Sequence, residues 1–146
     1  AKYFSKKSKM ICIADDSGLV VDAIDGRPGI HSARFAGVGE TRDERDEANN
    51  QLLLTELAGV PDQDRTARFV CAMCLAEPNG TIVAQSEGTF EGVIAREPSG
   101  ANGFGYDPLF YVPDAGVTSA EMSSEEKHSR SHRGNALRSI AKHLSQ

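Results

Sequence analysis

The chain has 146 residues, 39% hydrophobic and 25% charged, and a formal net charge of −5. That length suits a single domain over residues 1–146, the acidic balance disfavours a binder of nucleic acid polymers, and no apolar run reaches membrane-spanning length. Three cysteines, Cys12, Cys71 and Cys74, fit no secreted disulfide framework, and with no signal peptide at the start they point to a reducing, cytoplasmic setting.

In chain order, AKYFSKKSK reads as the end of an amphipathic helix. Residues 10–14 (MICIA) form a short β-leaning run that DDSG is expected to end, and residues 18–24 (GLVVDAI) give a second strand closed by the turn formers DGRPG. Residues 41–59 read as a helix: Thr41 can cap it, Glu44 stands at the capping-box spacing, and Gly59 with Pro61 stops it. Residues 66–76 and 81–90 are predicted strands joined by an EPNG turn, and residues 91–95 another. The glycine-rich stretch 99–108 has no regular periodicity, LFYV at 109–112 restores a strand, and the chain from residue 118 onward reads as helical. Leu137, Ile140, Ala141 and Leu144 are spaced as one helix face. The pattern is α/β, a mixed β-sheet flanked by helices.

Three stretches could carry chemistry. Asp15 and Asp16 follow an apolar strand, where adjacent side chains point to opposite faces. Such a pair caps a turn, or one carboxylate holds Mg²⁺ and orients a water. GANGFGYDP, residues 100–108, lets backbone approach a ligand and offers Phe104 and Tyr106 as flat faces, although an ordinary surface loop has the same composition. SHRG, residues 131–134, puts His132 and Arg133 at the start of the last helix, where cations oppose the macrodipole unless something oxygen-rich sits there. Cys71 and Cys74 form a lone CxxC in an apolar strand, which reads as buried thiols rather than a zinc site.

Taken in order, ADDSGL, GRPGIHSARFAG, GFGYDPLF, AEMSSEEK and SHRG closely resemble the inosine triphosphate pyrophosphatase family, the XTP/dITP diphosphatases, from about Ile13 to the C-terminus. The resemblance implies an ITPase-like fold with a central nucleotide cleft. It also implies Mg²⁺-dependent hydrolysis of deaminated purine nucleoside triphosphates to monophosphate and pyrophosphate, and a homodimer. Carried over by motif, Asp16 would be the general base and a metal ligand, Asp15 would support the metal, and Ser17 would contact substrate. Phe104 would stack on the base, with Gly105, Tyr106 and Asp107 completing that wall. Lys127, His132 and Arg133 would read the base edge as cationic donors. The family's Thr/Ser-Xaa-Asn-Xaa-Xaa-Lys phosphate loop and a further Glu are not matched in residues 1–10. The family's N-terminal strands are therefore expected to be missing, which leaves as an alternative a nucleotide-binding remnant with impaired catalysis.

Overall fold

The structure, a computed structural model, describes residues 1–144, with side chains through residue 142. A short helix, α1 (Lys2–Ser8), ends at Lys9 in the left-handed region and leads into β1 (Cys12–Val21). β1 pairs residue for residue with β3 (Thr66–Ala76), from Cys12↔Ala76 to Val21↔Ala67. DDSG therefore does not end a strand, and the two expected strands at 10–14 and 18–24 are one. A polar run is tolerated because β1 lies near a sheet edge. On its other side it meets only the two-residue β2 (Pro28–Gly29), opposite Leu19 and Val20.

β4 (Ile82–Ile94) likewise joins two expected strands into one. Gly92 lies inside it, where a Cβ would come 2.7 Å from the Phe110 ring, so the absent side chain makes room for β5 (Phe110–Val112). With β6 (Val117–Thr118) the sheet runs β2-β1-β3-β4-β5-β6, and all five described pairings are antiparallel. The expected α/β architecture of sheet and helices is present. Its parallel pairs, implied by a mixed sheet, are not found among the described residues.

α2 (Arg42–Glu56) starts with the expected capping box, Thr41 Oγ1 accepting from Glu44 N at 3.2 Å while the Glu44 carboxylate accepts from Thr41 N at 3.1 Å. The region from residue 118 is not one helix. It holds β6, then α3 (Ser124–Arg130) with its own capping box from Ser123 and Glu126, then α4 (His132–Leu144). Ser131 breaks the two helices with an extended backbone, and its hydroxyl accepts from Gly134 N at 3.0 Å to cap α4.

One sheet face carries the core. Leu19, Val21, Ala67 and Phe90 pack with Leu53 and Leu57 from the α2 region, and with Phe110 and Tyr106. Farther along, Cys71, Met73, Leu75 and Ala84 pack against Ala136 and Ile140 of α4. The buried stripe of α4 is thus Ala136 and Ile140. Leu137 and Ala141, expected inside, are exposed, and the Leu144 side chain lies outside the described residues. Helix and sheet touch closely at Gly88, where a Cβ would sit 2.2 Å from His132 O and 2.4 Å from Ala136 N. Buried Arg65 reaches three carbonyls with its guanidinium: Leu57 O beyond α2, and Ile94 O and Ala95 O at the end of β4, at 2.7, 2.7 and 3.0 Å. The three cysteines are free; of the pair expected to be buried, Cys71 is buried and Cys74 is half-buried.

Candidate functional site

A cleft of about 640 Å³ opens beside the covered sheet face. Its walls come from β1 (Ser17, Gly18), α2 (Arg42, Arg45, Asp46), β3 (Phe69), the 102–107 loop and the α3–α4 junction. Ser17, Phe104, Gly105, Tyr106, Asp107, Lys127, His132 and Arg133 all line it, while Asp15 and Asp16 do not.

The glycine loop is folded around a carboxylate. Asp107, 2% exposed, accepts from Phe104 N (2.8 Å), from Ser119 Oγ (2.8 Å) and from the Lys127 ammonium. Gly103 (φ +77°) must lack a side chain, because a Cβ would lie 2.0 Å from Asp107 Oδ2. α2 grips the next peptide from outside: Gly105 N donates to Asp46 Oδ2 at 2.8 Å, and Asn50 Nδ2 donates to Gly105 O at 2.9 Å. Tyr106 is buried and donates to Ser32 O at 2.8 Å, and burial pushes its phenol well above the ordinary range. The polar groups of Tyr106 and Asp107 are therefore committed within the protein, and these two side chains brace the wall. Phe104 instead is 49% exposed. Three cations approach its ring centroid: Arg42 Cζ at 4.4 Å, Lys127 Nζ at 5.4 Å and Arg133 Cζ at 5.9 Å.

His132 lies on the Phe69 ring, centroids 5.1 Å apart and planes 19° from parallel. Burial, reinforced by the Arg133 and Lys127 charges, pushes its pKa down from 6.5 to about 4. The expected cationic donor is thus a neutral imidazole, whose buried Nδ1 has no hydrogen-bond partner among the described residues. The other two cations arrive already paired. Lys127 is held by Asp107, and Arg133 Nε donates to Asp15 Oδ2 at 2.8 Å. That bond, more than any other contact, holds the Asp15 carboxyl below the usual range.

The two adjacent carboxylates part company, as pleating requires. Asp15 shares the α4 side of the sheet with Ser17 and Cys71, whereas Asp16 projects from the opposite face, paired in register with Ala72. No group of three or more His, Cys, Asp or Glu among the described residues could cage a metal ion. Mg²⁺ commonly keeps its waters and takes only one or two carboxylates besides substrate phosphates. Asp16 fits that lesser demand, while Asp15 has one oxygen, Oδ2, committed to Arg133.

Arg42, Asp46 and Asn50 were not singled out from the sequence. Asp46 and Asn50 do stand one helical turn apart, but that spacing recurs on any charged helix.

A family model described as the Ham1 family matches residues 1–143. The chain belongs to the Ham1 family. Residues 1–12 fall within that match, so the expectation that the family's N-terminal portion is lacking is not borne out. A dITP/XTP pyrophosphatase of Desulforamulus reducens is 58% identical over 128 residues, 88% of this chain and 61% of the relative. One from Exiguobacterium sp. is 56% identical over 128 residues, 88% of this chain and 62% of the relative. The chain thus spans about three fifths of the length of these relatives. Among solved structures, a HAM1 protein from Coxiella burnetii superposes with a TM-score of 0.89 at 41% identity, covering 99% of this chain and 72% of that one. The Staphylococcus aureus Ham1 protein gives 0.87 at 43%, covering 99% and 71%.

Proposed function

We propose that this chain hydrolyses deaminated purine nucleoside triphosphates (ITP, dITP or XTP) to the monophosphate and pyrophosphate, with Mg²⁺, as one ITPase-like unit in a cytoplasmic homodimer. The observation that supports it most is the convergence of Ser17, Phe104, Lys127, His132 and Arg133, from distant parts of the chain, on one cleft. Relatives named dITP/XTP pyrophosphatase support the substrate class. No helix of the described residues is long and apolar enough to cross a membrane.

In this reading the purine stacks on Phe104, and its edge meets Lys127, Arg133 and the neutral imidazole of His132. A keto oxygen at position 6 accepts from such donors, whereas the amino group of adenine is itself a donor and would face them donor to donor. Rejection by unmet buried polar groups is strong. Guanine carries the same oxygen, so its exclusion needs a clash or a missing partner at position 2. At the phosphate end, Asp16 makes no side-chain hydrogen bond or ion pair among the described residues, which leaves its oxygens available to hold Mg²⁺ and to take a proton from the attacking water. When bound, the ion neutralises charge on the triphosphate.

The test is pyrophosphate release from ITP with Mg²⁺, for the chain and for Asp16→Asn. Turnover in the chain and a kcat lower by about 10³-fold in the variant is the expected result. Wild-type turnover in Asp16→Asn removes Asp16 from the mechanism. One observation favours a second reading, nucleotide binding without hydrolysis: Asp16 stands outside the cleft that holds the other residues. ITP bound in calorimetry with no pyrophosphate released would select it.

A further inference from the structure

We propose that Arg42 is a further ligand-binding residue, the second wall of a slot in which a purine is sandwiched between its guanidinium and the Phe104 ring. The inference rests on the base site proposed above and adds a residue to it. Arg42 is the first residue of α2 and lines the cleft from that helix, whereas Lys127 and Arg133 come from α3 and α4. Its guanidinium carbon stands 4.4 Å from the Phe104 centroid, nearer than Lys127 or Arg133.

Two features separate Arg42 from those cations. Lys127 and Arg133 are tethered by ion pairs to Asp107 and Asp15, and each must break one to move. Arg42 makes no hydrogen bond or ion pair among the described residues, and its guanidinium lies over the ring. Its position is also unhelpful to the helix, since a cation in the first turn opposes the macrodipole. Local stability therefore does not account for it.

The geometry says what the residue can do. At 4.4 Å ring and guanidinium are in contact, with no room between them for a base. Inserting one requires a gap of two stacking layers, so Arg42 must move outward by about one aromatic thickness, ~3.4 Å. An exposed, untethered side chain swings that far at little cost. The planar guanidinium then stacks on the outer face of the purine as it does on Phe104. Where it stands, the same side chain covers part of an exposed aromatic ring.

The experiment is calorimetric binding of inosine, IMP and ITP to the chain, Arg42→Ala and Arg42→Lys, with Phe104→Ala as control. Arg42→Ala should weaken all three ligands by a common factor of about fivefold to tenfold. Arg42→Lys should fall between, since an ammonium keeps the charge but loses the plane. Weakening confined to IMP and ITP would make Arg42 a phosphate contact and overturn the slot. Unchanged or tighter inosine binding in Arg42→Ala would overturn it too. If Phe104→Ala weakens inosine binding while Arg42→Ala does not, the slot fails and the base site stands. If neither variant affects inosine, both fail. Melting temperatures check the fold, and the exposed position of Arg42 predicts no loss.

Discussion

Acidification should destabilise the chain through His132. Above pH 6.5 its imidazole is neutral in both the folded and the unfolded protein. As pH falls, the unfolded chain takes up a proton near 6.5, whereas the native site resists until about 4. The contribution is therefore fully present above the unfolded value, declines between about 6.5 and 4, and is level below that. Crossing the whole window costs about 3 kcal/mol, of which about 2 kcal/mol is lost between pH 7 and pH 5. Urea unfolding of the chain and of His132→Gln at both pH values measures it. Subtracting within each protein removes any general loss from the substitution, and groups common to both cancel. The chain should lose about 2 kcal/mol more than the variant on going to pH 5. Equal losses, or an imidazole seen by NMR to titrate near 6.5, would refute the burial argument. The same neutrality predicts that inosine affinity is flat from pH 8 to pH 6.

Gly88→Ala should lift α4 from the sheet, because the added methyl meets backbone atoms of His132 and Ala136 at 2.2 and 2.4 Å. A loss of about 1–3 kcal/mol, read as a melting point lower by several degrees, is expected along with weaker inosine binding. Asp107→Ala removes the acceptor of Lys127, Ser119 and Phe104 N together, and should cost about 3–5 kcal/mol in urea unfolding. Adding Lys127→Met should recover part of that loss. Asp46→Ala releases only Gly105 N. It should leave the melting point within a few degrees while weakening inosine binding by about fivefold in calorimetry.

Local signals in the sequence carried far, and their failures share a cause. The Thr41–Glu44 box and the 66–76 strand were legible because each is decided by neighbours a few residues away. DDSG was misread as a stop because its polar residues match turn chemistry. What keeps it extended is unbroken pairing with β3 and, for Asp15, an arginine 118 positions later. The boundary expected between Phe90 and Glu91 is absent from β4, and Gly92 just beyond it answers to Phe110, which no window around Gly92 contains. For the site, the family motifs pointed to the residues that meet in the cleft. They could not tell that Asp107 and Tyr106 face inward, that His132 is discharged by burial, or that Asp16 stands on the other sheet face. Arg42, Asp46 and Asn50 acquire meaning only from a loop some sixty residues on.

The Arg65 carbonyl clasp has a consequence for how the cleft breathes. It pins the far end of α2 to the last residues of β4, while Asp46 and Asn50, nearer the start of α2, hold the glycine loop. A rod fastened at two points cannot swing, so α2 behaves as a fixed jaw. The facing α3–α4 elbow is fastened too, by Lys127 to Asp107 and by Arg133 to Asp15, so Arg42 is the cleft cation left without such a tie.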